Sequence, residues 1–536
     1  MRRQSVAVAA GTPTAMATDQ RRNPDWLAEM PQRLWTHLEP VRRGVRARLE
    51  VDTRALAAMR IALGTIILAD LLHRAGSLET YYTDAGAYPL AAYEATYSRF
   101  TGLSIHAWSG ELWFQQLLFV VAGAFAVALI LGYRTRIVGA ISFVLLFSLH
   151  ARNPAMLNGA DRLLRVVLFV ALLTPLGERW SVDALRRGTA RTTVVGTVTA
   201  AVLLQPVVVF TQNAVLKHQG ETWYSGEALG IALTDDEMTI LLGNHLAEYP
   251  MLLEALTWGW VILLSGSVVF LLGTRGWLRA LAVGAYLGAF AGMALSMSVG
   301  LFPFVLAASL LPFIQRPFWD ALERVAPNRL TQWRPKRSWL GPLERPPLEH
   351  RVLASLRERG YESLASFVPT YGRSLLTVAG VLVVAWMLLF GAAHASEYDV
   401  PDAMDSPHLD EQRWGLYAPD PSDSYGWFVF EAELTNGASV DAFDGGELTF
   451  DRPPDAAQEY ESFRERKFLE SVRDSGTGDE TGIIARSYGE WACEQAAETH
   501  DAAVEEITVH RFVQQQPIDG ESEAEPNSYV PLEWSC

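Results

Sequence analysis

The sequence predicts an all-α polytopic membrane helical bundle followed by a small acidic α/β domain. Apolar residues gather in runs between residues 54 and 392, whereas the C-terminal residues after them are polar. A helix needs about 17–25 residues to cross a bilayer. Within the bilayer each backbone amide must be satisfied inside its own segment, so these runs indicate spanning α-helices.

The charge of the chain is divided in the same way as its hydropathy. The tail from Glu397 carries 33 acidic and 8 basic residues, a net charge of −25, and the residues before it carry a net +9. This division indicates one protein in two environments. Lysine occurs only at positions 217, 336 and 467. A composition with many carboxylates and little lysine favours a halophilic source organism, such as a salt-loving archaeon. The alternative is a GC-rich genome that favours arginine codons and encodes an acidic domain.

The elements follow in order from the N-terminus. Residues 1–53 are predicted to form an Arg-rich cytoplasmic leader, so the first apolar helix would direct insertion. About nine transmembrane helices are then predicted, at 54–73, 113–131, 137–150, 163–176, 193–214, 251–273, 277–297, 301–315 and 375–392. The third, fourth and eighth runs are short, so a re-entrant segment at one of them and a total of eight crossings is the alternative.

Basic residues predict the orientation of these helices, because short cytoplasmic loops are enriched in Lys and Arg. Arginines precede the first run and follow the second, fourth, sixth and eighth, whereas acidic or mixed loops lie between. The N-terminus is therefore expected inside and the tail outside. The expected domains are a main transmembrane domain (54–315), a cytoplasmic amphipathic linker (316–374), a last helix (375–392) and an extracytoplasmic domain (393–536).

The tail has the composition of a small mixed domain. Residues 426–434 and 506–513 are predicted strands, and 455–472 and 491–500 are predicted helices. The two cysteines of the chain, Cys493 and Cys536, both lie here. An extracytoplasmic location would allow a disulfide between them, and two unpaired thiols are the alternative. Their spacing matches no metal motif, so no metal site is expected.

Lys217 and His218 are candidate catalytic residues, because an ionisable side chain at membrane depth is costly and suggests a function. Both lie at the outer end of the fifth apolar run. A lysine at this boundary could act as a base, and an adjacent histidine could relay a proton. The alternative is that Lys217 extends toward the headgroups while His218 faces water.

A second polar cluster lies between two short apolar runs, at residues 150–165. His150, Asn158, Asp161 and Arg165, together with Trp223, are the expected residues of a polar cavity at the outer membrane face. Asp161 and Arg165 are four positions apart, so the alternative is an ion pair on one helical face. No nucleotide-binding, kinase, Ser-His-Asp or zinc motif occurs, and no nucleic-acid partner is expected.

Several segments resemble the HTTM domain, which vitamin K-dependent γ-glutamyl carboxylases share with many prokaryotic proteins. The similarity covers roughly residues 50–320. It is carried by LAAMRIALG (56–64), GYRTR (132–136), NPAMLNGADRLL (153–164), RWSVDAL (179–185), the Lys217–Trp223–Gly226 spacing and SVGLFPFVLAASLLPFIQRPFW (298–319).

The resemblance implies a helical membrane domain and a membrane quinone or hydroquinone as cofactor. The family's carboxylases oxidise a reduced quinone, and the base so formed removes a γ-proton from glutamate. Counted back from Trp223 without gaps, the first lysine of the family's lysine pair falls on Lys217, and the second, catalytic one on His218; a shift of one position at Lys217, which would partly restore the site, is the alternative. Two family histidines fall near Ala160 and Ala291. The catalytic pattern is therefore not intact, and carboxylation does not follow from the resemblance.

Two hypotheses remain from the sequence. In the first, the protein binds a quinone or lipid from the bilayer in a polar cavity near Lys217. In the second, it is a non-enzymatic anchor that presents the acidic domain to an extracellular protein partner. A solute transporter is a third hypothesis, but it lacks the expected repeat with broken helices.

Overall fold

The structure is a computed structural model of the chain. It describes residues 32–97, 101–188, 190–235, 237–325, 354–355, 357–362, 374–375, 377–389, 415–453, 460–477, 481–515 and 524–536. Predictions for the leader before residue 32 and for most of the 326–373 linker lie outside the described residues. The chain divides into two units, Met1–Ala47 and Arg48–Cys536. The described part of the first unit is helical.

The principal helices are, in chain order, α1 (Gln32–Leu49), α2 (Thr53–Ala75), α3 (Leu112–Leu131), α4 (Thr135–Arg152), α5 (Gly159–Leu172), α6 (Thr197–Lys217), α7 (Pro250–Ser265), α8 (Trp277–Ser296), α9 (Phe302–Leu310), α10 (Arg316–Val325), α11 (Thr377–Leu389), α12 (Phe463–Gly476) and α13 (Ile483–His500). Short helical segments occupy the connections at Leu78–Tyr82, Leu90–Thr96, Thr101–Leu103, Ile105–Trp108, Pro154–Met156, Val182–Arg187, Thr222–Ser225, Ala228–Leu233, Leu242–Leu246 and Leu311–Phe313, with a π-helical turn at Val268–Gly273.

Each predicted apolar run coincides with one of the helices α2 to α9 or with α11. Five of these helices are long and apolar enough to cross a membrane: α2, α3, α4, α6 and the segment Gly276–Ser296 that contains α8. The helices α7 and α11 and the segment Phe302–Phe313 are apolar but shorter, and α5 has only 14 residues. The polytopic helical architecture is confirmed, whereas the count of about nine crossings is not.

Local sequence signals set the ends of the helices. The side chain of Asp52 accepts a hydrogen bond from the backbone N–H of Arg54 and begins α2. Gly132 ends α3 with a φ of 67°, a left-handed conformation that glycine adopts without steric cost. Asn158 and Asp161 form a capping box that begins α5. Two polar residues proposed for a cavity therefore also define a helix start.

Buried polar contacts join the helices at the end of the bundle where α2 begins. The Arg60 guanidinium donates to the backbone carbonyls of Ile130, in α3, and Trp180, after α5. Asp183 accepts a hydrogen bond from the backbone N–H of Arg134, just before α4. The two-residue strands β1 (Val51–Asp52) and β2 (Thr193–Val194) pair just before α2 and α6. The starts of α2, α4 and α6 and the ends of α3 and α5 thus share one end, called here the arginine-rich end.

The C-terminal domain is an antiparallel sheet covered by two helices. Its strands are β3 (Ser424–Leu434), β4 (Ser439–Asp441), β5 (Val504–Gln515) and β6 (Asn527–Ser535), in the order β4-β3-β5-β6. The strands predicted at 426–434 and 506–513 lie within β3 and β5. The helix predicted over 455–472 begins at Phe463, and residues 454–459 lie outside the described part. The predicted helix at 491–500 is the second half of α13.

The core of this domain forms where one sheet face meets α12 and α13. Phe468 and Tyr488 are buried in the same hydrophobic cluster as Ile507 and Val509 of β5. Cys493 of α13 and Cys536 after β6 form a disulfide, with Cα atoms 5.7 Å apart. The last strand is thereby attached to a helix of the domain's core.

Candidate functional site

A cavity of about 1190 Å³ lies between the membrane helices and the C-terminal domain. Its walls come from the start of α5, from α6, α7, α8 and α9, from the connection between α6 and α7, and from two parts of the C-terminal domain. The lining residues include Asn213, Trp260, Met293, Tyr417 and Phe463. The volume exceeds the roughly 300–1,000 Å³ of typical small-molecule pockets, and apolar residues dominate the lining.

Lys217 is part of the lining of this cavity and is only 3% exposed. Its Nζ donates hydrogen bonds to the carbonyl oxygens of Leu416 (2.8 Å) and Tyr417 (2.7 Å). The same atom lies 3.4 Å from the centroid of the Trp223 ring. A cation–π contact of this kind stabilises a desolvated ammonium by about 2 kcal/mol. Lys217 therefore does not extend toward the headgroups, because the C-terminal domain covers it.

The segment 415–420 is held against the end of α6 by several further contacts. Trp223 donates from its indole Nε1 to the carbonyl oxygen of Tyr417 at 2.9 Å. The carboxylate of Asp420 accepts hydrogen bonds from the backbone N–H groups of Glu221 and Thr222 and from the Thr222 hydroxyl. Burial raises the pKa of Asp420, but these hydrogen bonds outweigh it and hold the pKa below its ordinary value. A charged Asp420 thus fixes the segment that covers Lys217.

His218 does not join Lys217 in the cavity. Its side chain is exposed, its ring packs edge-on against Tyr224 at 4.9 Å, and it is absent from the described lining. Lys217 is the last residue of α6, and His218 is the C-terminal cap of that helix. The geometry therefore offers no proton relay between the two adjacent side chains.

A buried ionic cluster beside the cavity joins the two domains. It consists of Asp70 and Arg74 from α2, Asp161 from α5 and Arg464 from α12, all nearly inaccessible to solvent. Arg464 donates to Asp70 at 2.5 Å and to Asp161 at 2.9 Å, and Arg74 donates to the same two carboxylates. Two guanidinium groups therefore neutralise two carboxylates, and one of them comes from the C-terminal domain.

The pKa of Arg464 reflects this arrangement. Burial and the neighbouring Arg74 lower the pKa, but Asp161 and Asp70 raise it above its ordinary value. The guanidinium therefore remains charged at every physiological pH. A buried pair of this kind is costly to break, since removing one partner leaves an uncompensated charge behind.

His150 lies against this cluster and is fully buried. Its Nε2 is 3.4 Å from Asp161 and 3.8 Å from Asp70. Asp70, His150 and Asp161 are close enough to one another to suggest metal ligands. The carboxylates are already occupied by two guanidinium groups, so the arrangement fits a structural ion network rather than a metal site. The proposed ion pair of Asp161 with Arg165 is replaced by these contacts from other helices.

A second polar contact joins the domains through the connection between α6 and α7. Glu237, in the connection between α6 and α7, accepts hydrogen bonds from Arg511 at 2.8 Å and from the Tyr460 hydroxyl at 2.8 Å. Burial, and after it the negative charge of Glu237, raises the pKa of Tyr460 well above its ordinary value. The C-terminal domain is thus held at two separate places.

The structure assigns the residues predicted from sequence to different places. Lys217, Asn158 and Trp223 line the cavity. His150 and Asp161 belong to the adjacent ionic cluster, and Arg165 is half-buried outside the described lining.

Sequence reasoning missed the lining residues that the C-terminal domain contributes, among them Tyr417, Phe463, Arg466 and Lys467. One signal could have found Lys467. It is one of three lysines in a chain that otherwise uses arginine.

Comparison with known families agrees with this architecture. A family model described as the HTTM domain matches residues 49–319, half of the chain. The chain belongs to the HTTM domain family. The matched HTTM region extends from just before α2 into α10 and contains Lys217, Asn158 and Trp223. No curated protein and no solved structure matches the chain.

Membership of the HTTM family draws attention to Ala160 in the cavity wall. Ala160, where the resemblance to the carboxylases suggests a histidine, lines the cavity of this HTTM protein with only a methyl group. The C-terminal domain, which supplies the other wall, lies entirely outside the matched region. The cavity is therefore formed jointly by the HTTM region and by a domain outside it.

Proposed function

We propose that this HTTM protein binds a membrane quinone or lipid in the cavity beside Lys217. One observation carries the proposal: a large, mainly apolar cavity has a buried lysine, Lys217, in its wall. Small-molecule sites combine apolar walls with a few placed polar groups in this way. A ligand of this kind reaches such a cavity from the bilayer.

The residues of the cavity fit a quinone in chemical type. Lys217, Asn213 and Asn158 supply polar contacts suited to carbonyl or hydroxyl oxygens, and Phe210 and Trp260 supply aromatic walls. A bound quinone would supply redox chemistry that these side chains lack. γ-Carboxylation is not part of the proposal, because His218 is turned away from the cavity and Ala160 carries no proton-handling group.

The proposed topology has nine crossings, a cytoplasmic N-terminus and an extracytoplasmic C-terminal domain. The contacts at the arginine-rich end support it, since they group the loops that the charge pattern predicts to be cytoplasmic. Thr197, at the start of α6, donates to the carbonyl oxygen of Thr377 at the start of α11. This contact supports an odd total, because α11 then begins at the arginine-rich end. The domain limits are those expected from sequence, 1–53, 54–315, 316–374, 375–392 and 393–536.

The alternative function is a membrane anchor that presents the acidic domain to an extracellular protein. The lining residues that the C-terminal domain contributes to the cavity favour the binding proposal over this one. An anchor needs no cavity shared between the two domains. A domain displayed for a partner also needs no buried ion pairs with the membrane helices, such as those that Arg464 makes.

Mass spectrometry of the purified full-length protein tests the proposal. We expect a quinone or lipid to remain bound in a mild non-ionic detergent, and to be depleted in the Trp260→Ala and Lys217→Met variants. Trp258→Ala is the matched control on α7, because Trp258 is absent from the described lining. Equal ligand content in all variants, or no bound ligand in the wild type, would overturn the proposal.

A further inference from the structure

The charged residues of the cavity lining all have the same sign. Arg162, Lys217, Arg466 and Lys467 are part of the wall, and among the described lining residues there is no aspartate or glutamate. The whole chain has more acidic than basic residues, 60 against 44. A lining of four cations therefore departs from the composition of the chain as a whole.

The departure is largest on the side formed by the C-terminal domain. That domain carries 33 acidic and only 8 basic residues from Glu397 onward. Two of these eight, Arg466 and Lys467, line the cavity. Two of the three lysines of the chain, Lys217 and Lys467, face the same cavity. Basic side chains are thus concentrated where the acidic domain meets the cavity.

Nearby carboxylates offset only part of this positive charge. Lys467 contacts Glu470 at 2.5 Å, and Arg466 lies 3.6 Å from the same carboxylate. The hydrogen-bond acceptors of the Lys217 ammonium are two backbone carbonyls, which carry no net charge. Positive charge in a poorly hydrated site is stabilised by a charged partner far more than by a neutral one.

Another part of the cavity wall has the properties of a channel for an apolar chain. Gly259 of α7 and Ala285, Gly288, Ala289 and Gly292 of α8 line it. A Cβ atom added at Gly259, Gly288 or Gly292 would meet no atom within 4 Å. These small residues leave open space between the two helices, at a depth that the bilayer's hydrocarbon occupies in the proposed topology.

We infer that the ligand of this cavity is an anionic amphiphile, whose phosphate or carboxylate head contacts Lys217, Arg466 and Lys467 and whose apolar chain lies between α7 and α8. The inference rests on the proposed function and gives its ligand a chemical class. A neutral quinone would fit the apolar channel but would bring no negative charge to the basic side of the cavity, where Arg466 and Lys467 share the carboxylate of Glu470. A phospholipid or a fatty acid satisfies both parts of the cavity.

Native mass spectrometry of the full-length protein with added lipids tests the inference. The probes are dioleoyl phosphatidylglycerol, dioleoyl phosphatidylcholine, oleate, oleyl alcohol and menaquinone. We expect the phosphatidylglycerol or oleate to bind about tenfold more tightly than its neutral partner with the same chain. The first pair identifies a phosphate head and the second a carboxylate head.

Two sets of variants locate the ligand. Arg466→Gln combined with Lys467→Gln removes two head contacts, and we expect the preference for the anionic probe to fall about tenfold. Arg473→Gln on the same helix is the control, because Arg473 lies outside the described lining. Gly288→Leu fills the channel and should weaken every probe, whereas Gly284→Leu, on the same helix outside that lining, should weaken none.

The outcomes separate the inference from the proposed function. Equal affinity for charged and neutral probes, or a preference for menaquinone, would overturn the anionic ligand and leave the cavity as a quinone or lipid site. No binding of any probe would overturn both. Unfolding temperatures of the two glycine variants identify a loss of binding that arises from misfolding, and Gly259→Leu on α7 then provides a second test of the same channel.

Discussion

Arg464 of the C-terminal domain donates a 2.9 Å hydrogen bond to Asp161 of the membrane domain, although 303 residues separate them. Both side chains are almost completely buried, and Asp161 also caps the start of α5. The contact therefore couples the position of the C-terminal domain to the local geometry of a membrane helix. Since the cavity lies between the same two domains, this ion pair also fixes the distance between its walls.

Removing Arg464 should destabilise the protein strongly. Arg464→Ala leaves Asp70 and Asp161 with one guanidinium instead of two, and breaking a buried pair of this type costs about 3–5 kcal/mol. Thermal unfolding in detergent and limited proteolysis of the C-terminal domain measure the loss. The control is Arg473→Ala, because Arg473 lies on the same helix and pairs with the exposed Asp474. Identical unfolding of the two variants would contradict the assigned role.

Glu237 and Arg511 should show energetic coupling in a double-mutant cycle. Their side chains meet at 2.8 Å and are largely buried, so Glu237→Gln and Arg511→Gln together should cost less than the sum of the single changes. Coupling between contacting residues is typically about 0.5–3 kcal/mol. The comparison pair is Glu178 and Arg191, at a similar 2.7 Å but with Arg191 mostly exposed, for which at most about 1 kcal/mol is expected. A coupling energy no larger than in this pair would show that the contact between Glu237 and Arg511 does not help to hold the C-terminal domain in place.

Acidification should destabilise the protein through His106. Burial, followed by the charges of Arg152 and Arg74, lowers the pKa of His106 from 6.5 to about 3. Between these values the unfolded chain binds a proton that the folded protein excludes, so stability is complete above pH 6.5 and falls as the pH decreases toward 3.

The matched variant for this test is His106→Asn, because an asparagine amide can replace Nδ1 in its 2.7 Å hydrogen bond with Ser148. Unfolding temperatures at pH 7 and pH 5 measure the effect. The wild type should lose more stability over this interval than the variant. Equal losses would show that His106 does not titrate as expected.

The disulfide between Cys493 and Cys536 should contribute to the stability of the C-terminal domain. It closes a separation of 43 residues, for which the loss of chain entropy in the unfolded state predicts about 4 kcal/mol. Cys493→Ser should lower the unfolding temperature under oxidising conditions, and a reducing agent should remove the difference. A difference that persists after reduction would point to packing of Cys493 instead.

The same cysteines test the proposed orientation in intact cells. Disulfides form in oxidising compartments outside the cytoplasm. A membrane-impermeant maleimide should label the wild type only after reduction. The Cys493→Ser variant frees the exposed Cys536 and should be labelled without reduction. No labelling of this variant in intact cells would place the C-terminal domain inside.

Local patterns in the sequence were sufficient for the elements of the fold. Every predicted apolar run became a helix, and the two predicted strands lie within β3 and β5, because hydrophobicity and periodicity act over a few neighbouring residues. The strands β4 and β6 were missed, and the starts of α5 and α12 were misplaced. Their limits depend on caps and on sheet partners distant in the chain.

The sequence by itself determined that the chain is a helical membrane protein of the HTTM type with an acidic domain, and it directed attention to Lys217 as a rare lysine. Only the tertiary structure decided what surrounds that lysine. The side chain of His218, adjacent in sequence, does not line the cavity. The carbonyl oxygen of Tyr417, 200 residues later, accepts a hydrogen bond from Lys217. Asp161 pairs with Arg464 rather than with Arg165 for the same reason. A buried charge is satisfied by whichever group packing brings closest, and that choice is made between domains rather than along the chain.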